Sequence, residues 1–125
     1  MKIQYALAVA TGLGLGAVAI GGLHAQTRPP PVYVVMEINE IIDADGFKAL
    51  IKTRPAGVVE AKLLDGRYLA RTDNITALDG TAPKFFVIIA FDNVEKAKAY
   101  SDNMRETTAM RIKTTKSRSF IVQSD

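Results

Sequence analysis

The stretch Lys84–Asp92, KFFVIIAFD, constrains the fold more than any other part of the chain. Its side chains fall into two alternating sets that are both apolar: Phe85, Val87, Ile89 and Phe91 on one side, and Phe86, Ile88 and Ala90 on the other. A strand with one face in water alternates apolar and polar residues. We therefore expect this strand to lie in a sheet whose two faces are both covered.

The N-terminal residues have the layout of a secretory signal peptide. Lys2 is followed by a run without Asp, Glu, Lys or Arg, and Ala25 precedes the polar sequence QTRPPP. This layout predicts a signal peptide over residues 1–25 and a Pro-rich spacer over 26–31. The mature protein would then be periplasmic or secreted, with no membrane attachment. Because the uncharged run is long enough to span a bilayer, an uncleaved anchor is the alternative.

The composition excludes several kinds of chemistry. The chain has no cysteine, and its one histidine, His24, lies in the segment expected to be removed. Their absence excludes a Ser-His-Asp triad, a thiolate nucleophile and the usual zinc or haem sites. Since the carboxylates show no EF-hand-like spacing, we expect neither a metal nor a cofactor. A net charge of +3, without aromatics among the basic stretches, does not indicate nucleic acid as a partner.

Hydrophobic periodicity and turn residues predict four strands and four helical segments. The strands are expected at 32–39, 67–73, 84–91 and 117–124, with 75–78 as an extension of the second. Helices should follow the N-cap Asp43, the break at Pro55 and the capping box Asp92–Glu95, and a fourth should cover 105–115. Each helix is expected to turn three residues inward. In the order of the helices these are Phe47, Leu50 and Ile51; Val58, Val59 and Leu63; Val94, Ala97 and Tyr100; and Met104, Ala109 and Ile112.

This order of elements predicts an α+β fold. Two strand–helix–strand units give a ferredoxin-like domain over residues 32–125, in which a four-stranded antiparallel sheet carries its helices on one face. The third strand is then central, and the face away from the helices is bare.

A bare apolar face of this kind predicts a homodimer. The candidate contact residues are Phe86, Ile88, Phe120 and Val122, together with either Tyr33 and Val35 or Val34 and Met36. Burying each large apolar side chain contributes about 1.5–3 kcal/mol, and several from each protomer exceed an association cost of roughly 4–15 kcal/mol. We expect two sheets to pack face to face as a dimeric α/β barrel. Alternatively, the second helix and residues 75–78 cover both faces within one chain.

Four segments resemble, in order and spacing, the domain-of-unknown-function family 1330: YVVMEINEIIDADGFKAL, DGRYLART, FVIIAFDNVEKAKAY and KSRSFIV. The resemblance covers nearly all of the chain from Val32 onward. It implies the dimeric α/β barrel fold and brings no established reaction. The chain departs from the family at Asp65 and at Thr72–Asp73, where glycines are common, and at Tyr100, where tryptophan is frequent.

The candidate ligand-binding residues are charged or phenolic. Arg67 and Arg71, with Leu69 between them, are predicted to share one face of the second strand and to grip a carboxylate or phosphate. Further candidates are Arg118, Glu37, Tyr33, Tyr68 and Tyr100. Alternatively, the charged residues form ion pairs at the barrel rim and the tyrosines are packed aromatics. The basic run that contains Arg111, Lys113, Lys116 and Arg118 is interpreted as a solvated face.

Three functions remain open from the sequence. The first is an extracytoplasmic dimer that binds a small, anionic or aromatic molecule in a cleft between sheet and helices. The second is a cofactor-independent enzyme of the monooxygenase or isomerase type, an analogy of fold alone. The third is a structural or interaction dimer. A buried Arg67 or Glu37 beside a cavity would favour the first two, and a filled, dry barrel would favour the third.

Overall fold

The computed structural model describes residues 29–125, so the predicted signal peptide lies outside the described residues. The elements, in chain order, are β1 (Val32–Ile41), α1 (Ala44–Ile51), α2 (Arg54–Leu63), β2 (Arg67–Thr72), β3 (Phe85–Phe91), α3 (Val94–Asn103), α4 (Arg105–Thr114) and β4 (Thr115–Gln123). Within this part of the chain no helix is both long and apolar enough to cross a membrane.

The four strands form one antiparallel sheet in the order β2-β3-β1-β4. The apolar strand β3 is therefore central, between β2 and β1. This order, with two helices after β1 and two after β3, confirms the predicted α+β, ferredoxin-like fold. The predicted extension of the second strand is wrong, because β2 ends at Thr72 and residues 73–84 contain no strand.

Side-chain caps begin two of the helices. The Asp43 carboxylate accepts a hydrogen bond from the Gly46 amide at 3.1 Å, which confirms the predicted N-cap of α1. The cap of α3 lies one residue later than expected. Asn93, whose backbone is extended, accepts from the Lys96 amide at 2.9 Å, while the side chain of Asp92 instead lies 3.5 Å from the Lys96 ammonium.

The core lies between the helices and one face of the sheet. Alternate residues of β1 and β3 point towards the helices, and the buried cluster comprises Val32, Val34, Ala61, Val87, Ile89, Phe91, Ala97 and Tyr100. The rings of Phe91 and Tyr100 pack with centroids 5.4 Å apart. The predicted inward residues of α1 and α3 are confirmed, since Leu50, Ala97 and Tyr100 are buried and their partners are partly buried.

The inward faces of α2 and α4 differ from the prediction. In α2 the buried residues are Gly57 and Ala61, whereas Leu63 is 73% exposed. The small residue Gly57 lies near the flexible end of the Met104 side chain, since an added Cβ would lie 3.2 Å from Cε of Met104. In α4 the buried residues are Arg111 and Thr114, and Ile112 is 63% exposed.

The other side of the sheet, here called the open face, carries the predicted contact residues. Strand pairing places Tyr33, Val35, Phe86, Ile88, Phe120 and Val122 on it. Of the two β1 sets left open by the sequence, the structure selects Tyr33 and Val35, because Val34 and Met36 face the helices. Phe120 and Val122 are 41% and 40% exposed, so residues 29–125 leave the β4 side of this face uncovered.

Gly66 gives a test of the packing around the turn from α2 to β2. An added Cβ would lie 2.6 Å from Cε1 of Phe91 and 2.9 Å from the Ala61 carbonyl oxygen. Because a buried ring and the backbone cannot both move aside, Gly66→Ala should lower the free energy of unfolding by about 1–3 kcal/mol. Urea denaturation measures the loss. Gly57→Ala is the matched control and should not destabilise, since its new methyl meets a flexible Met104 terminus in a helix that prefers alanine. Equal stability of the two variants would contradict this account.

Candidate functional site

A partly open cavity of about 120 Å³ lies between the helices and the helix-facing side of the sheet. Most of its wall is apolar and includes Val34, Met36, Leu50, Phe85, Val87 and Met104. An engineered apolar cavity of about 150 Å³ binds benzene. The space therefore suits a molecule with about one aromatic ring, and its opening permits a substituent to extend outward.

Two arginines of this cavity wall stack on aromatic rings. Cζ of Arg71 lies 4.9 Å from the centroid of the Tyr68 ring, and Cζ of Arg54 lies 4.6 Å from that of Phe85. Both arginines are exposed, so each guanidinium lies at the boundary between cavity and solvent. Stacking holds the two charges in place while leaving their N–H groups available.

Two tyrosines place hydroxyl groups beside the same space. Tyr68 and Tyr100 both line the cavity. Burial, and then the neighbouring Tyr68, raise the pKa of Tyr100 well above its usual value. Tyr100 therefore keeps its proton at neutral pH and can donate a hydrogen bond, but it is a poor general base.

Arg111 is the buried cation of the site. It is 4% exposed and lines the cavity from α4. Its Nη1 donates to Oγ of Ser117 at 2.8 Å, and its Nη2 donates to Oγ of Ser119 at 3.2 Å. Burial lowers the pKa of Arg111. An arginine is basic enough to stay charged nonetheless.

In the part of the chain that the structure describes, no carboxylate lies within 4.0 Å of any of these three guanidiniums. Within residues 29–125 the ion pairs of arginine are Arg105 with Asp102 and Arg118 with Glu37, and neither involves the cavity. The same residues contain no group of three or more acidic or histidine side chains that could hold a metal ion. The cavity thus combines apolar walls with an excess of positive charge.

The predicted pairing of Arg67 and Arg71 on one face is wrong. Arg67 is opposite Ala90, on the open face, whereas Arg71 is opposite Val87, on the helix-facing side. The reason is a shift of register between Tyr68 and Ala70, a bulge in which Leu69 has no partner. One extra residue reverses the alternation, so two arginines four positions apart face opposite ways.

The other predicted ligand-binding residues are divided by the sheet. Tyr68 and Arg71 line the cavity, while Tyr33, Glu37 and Arg118 belong to the open face with Arg67. Nε of Arg118 lies 3.2 Å from Oε1 of Glu37. These two residues therefore form an ion pair, as the alternative to ligand binding predicted. With Tyr100, the structure therefore brings three of the seven candidates together at the cavity.

Two cavity residues were missed by sequence reasoning, Arg54 and Arg111. The interpretation of the basic run as a solvated face is wrong for Arg111, which is buried. A signal was present, since Met104, Thr108 and Arg111 recur at the spacing of one helical face. This signal was overlooked because Ile112, one position later, is more apolar and was predicted to face inward instead.

Comparison with solved structures identifies proteins of the same fold. A protein of unknown function from Rhodopseudomonas palustris, RPA0582, is 13% identical, with a TM-score of 0.57 over 88% of this chain and 94% of that one. Its methylated form is 12% identical, with a TM-score of 0.58 over 88% and 92%. A proposed antibiotic biosynthesis monooxygenase from Caulobacter crescentus is 9% identical, with a TM-score of 0.50 over 83% and 98%. At these identities the likeness concerns the fold alone.

The sequence itself identifies the family. No curated protein matches the chain. One family model, domain of unknown function DUF1330, matches residues 31–124, which is nearly all of the part that the structure describes. This agrees with the resemblance carried by the four sequence segments. The chain therefore belongs to the DUF1330 family.

Proposed function

We propose that the protein binds a small, mainly apolar molecule in the cavity between its sheet and its helices. The observation that supports this proposal is a ring-sized apolar space with a few converging polar groups. Ligand sites are commonly built this way, because apolar walls contribute affinity and a few polar groups fix the orientation. A core that served stability alone would be filled to the density of an organic crystal.

Each part of the wall has a role in this proposal. The side chains of Val87, Phe85 and Leu50 remove the apolar body of the ligand from water. The hydroxyl of Tyr100, which keeps its proton, donates to an oxygen of the ligand. Arg54 and Arg71 lie at the opening of the cavity, each stacked on an aromatic ring.

Filling the cavity from Gly57 tests this proposal. Gly57 lines the space, so the longer side chain of Gly57→Leu should project into it and weaken binding at least about tenfold. The probe is benzyl alcohol, a neutral ring, and affinity is measured from NMR shifts of the methyl groups of Leu50 and Val87.

The matched control is Gly57→Ala, which adds one methyl group and should retain most of the affinity. Failure of benzyl alcohol to shift these methyl groups in the wild type would refute the site. Equal affinity of the wild type and Gly57→Leu would do the same.

A cofactor-independent enzyme is the second candidate, and what favours it is the pair of tyrosines, Tyr68 and Tyr100, that lines the cavity. A protonated Tyr100 could stabilise negative charge that develops on a bound substrate. The proposed monooxygenase from Caulobacter crescentus shares the fold and adds no evidence about the reaction. Turnover of a bound compound by the wild type, lost in Tyr100→Phe while binding persists, would establish the enzyme.

We also propose that the protein acts as a homodimer outside the cytoplasm. The exposed apolar residues of the open face support a second copy as the partner, because an apolar sheet face in water is costly. The layout of residues 1–25 supports export and removal of this segment. Intact mass of the protein from its own host tests the second point: a mass corresponding to residues 26–125 is expected, and a full-length mass would contradict cleavage.

A further inference from the structure

We infer that the ligand of this cavity is a monoanion, a carboxylate attached to a body of about one aromatic ring, and that Arg111 binds its charged group. This inference depends on the proposed binding function and goes further, because it names the chemical class of the ligand. The carboxylate would lie at the inner, α4 side of the cavity, and the ring would lie against the apolar wall.

The charge of Arg111 is buried without compensation. Only 4% of the residue is exposed, and within residues 29–125 no carboxylate lies within 4.0 Å of its guanidinium. Its hydrogen-bond partners, Ser117 and Ser119, are neutral hydroxyls. Buried charges in proteins are normally paired, since an unpaired ion loses its hydration and gains no attraction in return. An anionic ligand would supply the missing partner.

The guanidinium has unused donors on a residue that lines the cavity. It carries five N–H groups in a planar fork. Ser117 and Ser119 each accept from a different terminal nitrogen, so they also hold the plane of the fork in one orientation. A fixed planar fork favours the two oxygens of a carboxylate, which it can bind in parallel.

The surroundings of the cavity also favour an anion. Arg54 and Arg71, both exposed and both lining the space, add positive charge at the opening. The carboxylate of Glu60, which contributes to the raised pKa of Tyr100, already accepts a hydrogen bond from Asn103 at 2.6 Å. An approaching anion therefore meets attraction at the opening and at the inner wall.

The test measures how tightly the wild-type protein binds two probes of nearly equal shape, benzoate and benzamide. Benzamide has the same ring and a planar polar group, but no charge. Affinities are measured by NMR titration at fixed ionic strength. We expect benzoate to bind at least about tenfold more tightly, because a charge-assisted bond to a buried partner is stronger than a neutral one.

Two variants test whether Arg111 is the source of the preference for benzoate. Arg111→Gln removes the charge while keeping a side chain that can donate to the serines, and it should reduce the preference for benzoate to about twofold or less. Arg105→Gln is the control, because it removes the same charge from an exposed position of the same helix. It should leave the preference unchanged. Circular dichroism confirms that each variant is folded, and the wild-type comparison stands even if Arg111→Gln does not fold.

The outcomes separate the two proposals. Equal binding of benzoate and benzamide by the wild type would overturn the inference and leave the binding function standing. Arg111 would then simply connect α4 to β4. Binding of neither probe would overturn both. A preference for benzoate that persists in Arg111→Gln would overturn the assignment to Arg111.

Discussion

Phe91→Ala is expected to lower the free energy of unfolding by about 3–5 kcal/mol, the range for removing a fully buried phenylalanine ring. Phe91 is 1% exposed, packs against Tyr100 at 5.4 Å between centroids, and contacts the turn at Gly66. The ring therefore joins the central strand to α3 and to the start of β2. Loss of the ring leaves a cavity bordered by β3, α3 and the start of β2. These three elements cannot all move inward to fill it. Small domains have a total stability of about 5–15 kcal/mol, so this change removes a large share.

Urea denaturation at one protein concentration measures this loss. Leu78→Ala is the control, because Leu78 is 95% exposed in the segment between β2 and β3. Its stability should stay within about 0.5 kcal/mol of the wild type. A loss below about 1 kcal/mol for Phe91→Ala would show that the core is not organised around β3.

Ile88→Lys is expected to convert the proposed dimer into a monomer. Ile88 lies in the middle of the open face, beside Val35 on β1 and Ala70 on β2. In a two-fold dimer each chain would place one lysine in a contact that excludes water. An unpaired buried ion costs several kcal/mol, so two of them should weaken association by a factor of at least about a hundred. In the monomer the lysine reaches solvent, and the chain should stay folded.

Light scattering coupled to gel filtration gives the mass of each species. Ile112→Lys is the matched control, since Ile112 is 63% exposed on the helix side and the same substitution there should leave the dimer intact. A wild-type protein that is monomeric at high concentration would refute the dimer. A dimer that survives Ile88→Lys would show that the contact lies on another surface.

The candidate site shows which residues could be placed from the sequence and which could not. Tyr68 and Arg71 were among the predicted ligand-binding residues and do line the cavity. Arg67 was placed beside Arg71 because strand residues alternate, and the bulge at Leu69 breaks this alternation. Nothing in the letters RYLART marks a bulge, because a bulge is a property of the pairing between two strands. Arg111 was assigned to solvent because its neighbours are charged, whereas its own helical position faces inward.

The sequence by itself determined the elements and the fold, because their signals are local. Alternating apolar residues predict strands, Asp43 begins a helix through its own side chain, and a strand apolar on both sides belongs at the centre of a sheet. Only the tertiary structure decided which arginines meet at the cavity and that one of them is buried with no acidic partner among residues 29–125. Both facts depend on contacts between residues far apart in the chain, and such contacts leave no periodic pattern along it.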